Sequence, residues 1–216
     1  MINPLIILGG FLAYIIGSIP SAVWFGKIVY SVDVREHGSG NPGATNTFRV
    51  LGKRAGTIVL LFDIAKGLLA TTLAVILLRY GIINEDKLVL TKLVFGVIAV
   101  FGHLFPIFLK FKGGKGVATL FGMMIGIQLP VALISLAIFL LTLITSKYVS
   151  LGSIVAALSF PLMLAFVPRF NTGEPILVMF GFFLALVVFW SHNKNIKRII
   201  HGDESKTYLI KKKNNS

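Results

Sequence analysis

The sequence predicts an all-α integral membrane protein, and three observations predict it. Of the 216 residues, 56% are hydrophobic and 13% charged, whereas a soluble domain carries about 45–50% apolar and about 25% charged residues. The apolar residues gather in runs long enough to cross a hydrocarbon core of ~30 Å, and mean hydropathy is +0.87. The runs are continuous rather than alternating, so helices, not a closed barrel, must satisfy the backbone in lipid.

Taken in order, the first span is expected over Pro4–Phe25. A polar, glycine-rich loop follows over Ser31–Arg54, then a second span over Ala55–Leu78 and a short turn at Gly81–Lys87. The third span is Leu88–Leu109, followed by the basic loop Lys110–Gly116. The next run, Val117–Thr145, would make a straight helix of ~44 Å at ~1.5 Å per residue, too long for one crossing. Pro130 near its middle breaks or kinks such a helix. A short segment ending near Leu129 and a second starting at Pro130 are therefore expected. Two more runs, Val149–Val167 and Pro175–Trp190, bring the total to seven transmembrane segments, the fourth being short. Met1–Gly17 has no basic start, so the small residues at Ser18–Ala22 are read as part of a retained span rather than a cleavage site.

Charge supports seven crossings. Odd parity puts Arg35, Arg49, Lys53, Arg54, Lys110, Lys112, Lys115, Lys147 and the basic tail on one side, against Arg79, Lys87 and Arg169 on the other. The basic side is then cytoplasmic and the N-terminus outside. The expected organisation is one membrane-embedded domain, 1–216, whose segment 199–216 is a basic cytoplasmic tail. A net charge of +13 confined to short loops fits anionic lipid better than nucleic acid. With no cysteine in the chain, thiolate catalysis and disulfides are excluded.

Three segments carry candidate chemistry. In the first loop Gly38, Gly40 and Gly43 match G-x-G-x-x-G, but no strand precedes them, so a dinucleotide fold is not indicated. The glycines would let backbone N–H groups approach an anion, Ser39, Asn41, Thr45 and Asn46 would add hydrogen bonds, and Arg49 a phosphate fork. The plain alternative is an ordinary polar turn. The second loop holds Gly113, Gly114, Lys115 and Gly116 immediately before a predicted helix start at Val117, which favours an anion, although it is not a Walker A loop. A positive-inside loop would explain its lysines but not its glycines. The third, His192-Asn-Lys-Asn195, places His192 and Asn195 on one face if helical; Lys194, Lys197 and Arg198 read as a juxtamembrane anchor. Asp63 and Lys66, three apart inside a span, read as a structural ion pair, and His103 either as a capping or loop-anchoring residue or as a catalytic one. No H-x-x-x-x-D, H-E-x-x-H or G-x-S-x-G pattern occurs, so the residues suggest a metal-free phosphate site at a membrane without an evident nucleophile.

Together, Gly38–Asn46 with Arg49, Gly102-His-Leu-Phe-Pro106, Lys112–Thr119 and His192-x-x-Asn195-Ile resemble the bacterial acyl-phosphate:glycerol-3-phosphate acyltransferase family, known as PlsY. Ser18-Ile-Pro20, Asp63-x-x-Lys66-Gly67 and Ser150–Ser153 add to the resemblance, which covers nearly the whole chain. Asn193 stands where many relatives carry Arg. The resemblance implies a seven-helix bundle in the bacterial cytoplasmic membrane with its site on the cytoplasmic face. It implies transfer of a fatty acyl group from acyl phosphate to the 1-hydroxyl of glycerol 3-phosphate, giving lysophosphatidic acid and phosphate, the first acylation of phospholipid synthesis. The expected partners are acyl phosphate and glycerol 3-phosphate as substrates and the lipid bilayer, with no cofactor, no metal and no nucleic acid and a monomer favoured; the resemblance carries Ser39, Thr45, Arg49, Lys115, His192 and Asn195 into the site. A transporter or channel for an organic phosphate is the competing expectation.

Overall fold

The computed structural model describes residues 3–171 and 173–207; the last part of the expected basic tail, 208–216, lies outside the described residues. All regular structure among the described residues is helical. The chain divides into two compact units, Met1–Leu129 and Pro130–Ser216. Four helical segments are long and apolar enough to cross a membrane, or six if each of two bent helix pairs counts as one span; a shorter apolar helix comes in addition.

The first unit holds α1 (Pro4–Ser18), α2 (Ser21–Tyr30), α3 (Ala44–Arg79), α4 (Leu88–Leu104) and α5 (Val117–Ile127). The single first span expected from the sequence is two helices bent by 45°. Pro20 has no N–H to continue the ladder, and the loose ends are bound by an ion pair from α3. Lys66 Nζ donates to the Ile19 carbonyl at 2.5 Å, to Ser21 Oγ at 3.1 Å and to Asp63 Oδ1 at 2.5 Å. Ser21 Oγ donates to the same Asp63 oxygen at 2.6 Å. The ammonium thus sits at the C-terminal end of α1 and the carboxylate at the N-terminal end of α2, each where the helix dipole favours it. All three ammonium protons are occupied, and Asp63 and Lys66 are 1% and 4% exposed. This is the structural pair the sequence suggested.

Residues 44–51, expected as loop, are helical and run into α3 through a break at Gly52 (φ 86, ψ −176). That backbone region is essentially open only to glycine. The helix forms because its apolar residues find partners that the local sequence hides. Leu51 packs on the buried Ala22, Val23, Val34 and Val59, and Phe48 lies over Gly56.

Small residues let the spans touch backbone to backbone, as lipid-embedded helices require. A Cβ at Gly67 would overlap the Thr119 carbonyl, and one at Gly122 the Ile64 carbonyl, so α3 and α5 have no room between them. Gly122→Ala is therefore expected to destabilise the protein by ~1–3 kcal/mol through overpacking. Gly10→Ala, whose new carbon would sit 3.5 Å from the tip of Ile98, should be neutral or stabilising. Thermal unfolding of both variants in detergent checks this. α5 is 11 residues, ~17 Å, about half a hydrocarbon core. Lys92 Nζ donates to the Gly126 carbonyl in its last turn at 2.9 Å, supplying a cation at the negative end of the short helix.

The second unit holds α6 (Leu129–Ser146), α7 (Val149–Phe166), α8 (Pro175–Ser191) and α9 (Asn193–His201). As expected, the helix breaks near Pro130, at Gln128; α5 ends two residues before the predicted limit and α6 starts one residue before Pro130. α8 and α9 meet at 56°, with His192 at the bend.

Candidate active site

The first loop is built around Asn46. Its Oδ1 accepts from Ser39 N at 2.9 Å and Ser39 Oγ at 3.2 Å, and its Nδ2 donates to the carbonyls of Val34 (2.6 Å) and His37 (3.0 Å). At 1% exposure it buckles the loop to the start of α3 and has no hydrogen to offer a phosphate. Gly38 (φ 62) passes directly over this amide. The Gly40 and Gly43 N–H groups donate to the His37 and Asn41 carbonyls at 3.1 and 2.9 Å. In this structure the polar groups of Asn46, Gly40 and Gly43 bond within the turn and shape it.

What remains for an anion is the start of α3 and the side chains on it. Gly43 caps this helix without a side-chain bond, so the first N–H groups of the helix stay open. Ser39, Thr45 and Arg49 are exposed, and Asn41 is half-buried. Among the described residues Arg49 has no hydrogen-bond or ion-pair partner, whereas Arg35 is clamped to Asp33 through Nε (2.9 Å) and Nη2 (2.6 Å). The Arg35 hydrogen bond is the largest influence on the Asp33 carboxyl and holds it far below the usual range, against the opposing effect of burial. Arg35 is already neutralised locally; Arg49 is not.

The second loop follows the same logic. Gly113 N–H donates to the Leu104 carbonyl and Gly114 N–H to the His103 carbonyl, both at 3.1 Å. A Cβ at Gly113 would strike the His103 carbonyl, and one at Gly114 the His103 ring. The Gly113 and Gly114 N–H groups thus hold the turn on the end of α4, and neither position has room for a Cβ. Gly116 (φ 75) caps α5, and Lys115 stands half-buried between these fixed points. Tyr14 Oη donates to the Phe105 carbonyl at 2.8 Å and pins the same corner to α1. A small open cleft lies beside the turn, lined by Gly17–Ser21, Pro42, Lys66, His103, Pro106, Leu109, Gly113 and Gly114. Pro42 of the first loop and the glycines of the second therefore border one space within the first unit.

In the second unit His192 is 3% exposed. Its Nδ1 lies 2.8 Å from the Val188 carbonyl; a carbonyl can only accept, so Nδ1 carries a proton. Asn195 Nδ2 donates to Glu204 Oε1 at 2.6 Å, Ser150 Oγ to the same oxygen at 3.1 Å, and Arg198 Nε to Oε2 at 2.8 Å. The sequence reading missed Glu204. The signal was an acid placed alone with Asp203 in a basic stretch, nine residues beyond Asn195. Burial raises the Glu204 pKa, but the bonds from Asn195, Arg198 and Ser150 outweigh it and the net shift is downward. Because the folded pKa is depressed, its stabilising contribution is present above the ordinary value of 4.5 and is lost as pH falls through the folded value. Acidifying the wild type below pH ~4 should therefore lower its Tm more than that of Glu204→Gln, measured by pH-resolved thermal melts.

Comparison with known proteins fits this geometry. The family model described as Glycerol-3-phosphate acyltransferase matches residues 7–202. The chain is 46% identical over 201 residues to "Glycerol-3-phosphate acyltransferase" of Listeria welshimeri, covering 93% of this chain and 96% of that one. It is 42% identical over 204 residues to the protein of the same name from Salinibacter ruber, covering 90% and 89%. Its fold is similar to the crystal structure of PlsY (YgiH), an integral membrane glycerol 3-phosphate acyltransferase, in its glycerol 3-phosphate form. There the TM-score is 0.77 at 33% identity, covering 94% of this chain and 95% of that one. The lysophosphatidic acid form of PlsY gives a TM-score of 0.74 at 32% identity, covering 93% and 94%. An integral membrane protein with this helical order and these two glycine turns, the chain belongs to the glycerol-3-phosphate acyltransferase family.

Proposed function

We propose that the chain transfers a fatty acyl group from acyl phosphate to the 1-hydroxyl of glycerol 3-phosphate, releasing lysophosphatidic acid and inorganic phosphate. The observation that carries this reading is the pair of open helix starts, at Ala44 and Val117, each beside a cation, Arg49 or Lys115. Two phosphates must be handled in the reaction, and two cationic helix starts suit them. An acyl phosphate is a mixed anhydride with a good leaving group, so no covalent enzyme intermediate is needed. Alignment and charge neutralisation supply the catalysis. Ser39 and Thr45 would bond phosphate oxygens, with Asn41 at the edge of the turn. The family motif brings His192 and Asn195 into the same reaction, where they would orient glycerol 3-phosphate.

The membrane arrangement proposed with it has seven crossings, α5 being the short one, the N-terminus outside and the 199–216 tail in the cytoplasm. The two glycine loops would then face the cytoplasm in the bacterial inner membrane, where both soluble and lipid-like substrates are at hand. The transporter reading gains no support, since the named relatives are acyltransferases. Purified protein given acyl phosphate and labelled glycerol 3-phosphate is expected to form lysophosphatidic acid and release phosphate. No product from protein that is folded in detergent or bilayer would overturn the proposal.

A further inference from the structure

Among the described residues, one buried side-chain polar atom lacks a hydrogen-bond partner: Ser18 Oγ. Ser18 is 0% exposed, and an orphaned buried hydroxyl costs stability, so its retention needs a reason. Ser18 lines the cleft beside the second loop, together with His103. The two are close through the helix contact, since a Cβ at Gly102 would lie 3.0 Å from Ser18 N. The His103 ring is fixed on one side only. Its Nδ1 is 3.2 Å from Thr119 Oγ1 and 3.7 Å from Asp63 Oδ1, the latter beyond hydrogen-bond reach and already accepting from Ser21 and Lys66. We take the Thr119 hydroxyl as the donor to Nδ1, the tautomer with its proton on Nε2, the atom beside Gly114. Lys66 also borders the cleft, but its three protons are committed to Ile19, Ser21 and Asp63. Two buried side chains, one hydroxyl and one imidazole, thus line the same cleft. Its rim is apolar, with Ile19, Pro42, Pro106 and Leu109.

We propose that this cleft is the subsite for the carbonyl oxygen of the acyl donor, with the Ser18 hydroxyl and His103 Nε2–H as its oxyanion donors. The proposal rests on the acyl-transfer reading and adds residues to it. The acceptor hydroxyl oxygen bonds to the carbonyl carbon, and the C=O π pair moves onto oxygen, where the two donors meet it. The pair then returns as the bond to the leaving phosphate oxygen breaks, and the hydroxyl proton departs with that phosphate. Donors already in place need no reorganisation as the charge develops, which is why such sites accelerate acyl transfer.

The test is steady-state kinetics and thermal melting of Ser18→Ala, His103→Asn and His103→Gln against wild type. Ser18→Ala removes an unsatisfied hydroxyl, so its Tm should hold or rise, while kcat falls ~10²–10³-fold and both KM values stay near wild type. His103→Asn should lose kcat similarly, and His103→Gln, which can return an N–H near the Nε2 position, should recover most of it. Wild-type kcat in Ser18→Ala, with or without a lowered Tm, would overturn the proposal and leave the hydroxyl as the anchor of a buried water. A loss confined to KM, or a Gln variant no better than Asn, would overturn it too. If the histidine variants do not fold, Ser18→Ala decides alone. Failure of the acyl-transfer reading itself is distinct, because it would show in the wild type as absence of lysophosphatidic acid.

Discussion

Lys115→Ala should cut kcat/KM for acyl transfer by ~30-fold to several thousand-fold while the protein still inserts and melts normally. The magnitude follows from removing one member of a partly desolvated charge pair, ~2–5 kcal/mol. The separation of activity from folding follows from the backbone. The residues on either side of Lys115 are held without its side chain: Gly114 N–H by the His103 carbonyl, and Gly116 through its carbonyl to Leu120 N–H at 2.7 Å. Truncation removes the ammonium while these backbone bonds of the turn remain. Kinetics on purified protein, paired with a melting curve, decide it; near-normal turnover would remove Lys115 from the proposed site.

The largest effect on stability is expected for Asp63→Leu. It strands the Lys66 ammonium at 4% exposure with only the Ile19 carbonyl and Ser21 hydroxyl for company. Breaking a buried pair from one side costs ~3–5 kcal/mol, a large share of the ~5–15 kcal/mol that holds a typical protein folded. Lys66→Met alone leaves a buried carboxylate and should cost a similar amount. The double variant should be much milder than the sum of the two, because replacing both charges by apolar groups removes the desolvation cost with the attraction. Unfolding midpoints of the four proteins complete the cycle. Additive losses would show that the two charges act independently.

The spans were readable because lipid imposes one rule, continuous apolar runs, and the chain obeys it. Pro130 gave the α5–α6 break for the same reason that Pro20 gives the α1–α2 break, yet only the first was anticipated. A run of 29 residues from Val117 to Thr145 is visibly too long, whereas Pro4–Phe25 has the right length and hides its bend. Residues 44–51 were mistaken for loop because Thr45, Asn46 and Arg49 look polar. Their helix is held by Phe48 and Leu51, whose partners are distant in sequence. The glycine turns were recognised as special, but for a partly different reason. Composition cannot tell an N–H offered to a ligand from one already bonded to His37, Asn41, Leu104 or His103. Glu204 was missed because its significance lies in three partners from two other stretches of chain.

The strap at Pro20 also bears on biosynthesis. Residues 19–21 leave the ribosome well before Asp63 and Lys66, and until those arrive the Ile19 carbonyl has no ammonium to accept from. The ion pair in turn has no low-cost place in hydrocarbon without Ser21 and that carbonyl. Neither half is settled in lipid by itself. The bend of α1–α2 and the buried charges of α3 therefore depend on each other for a place in lipid.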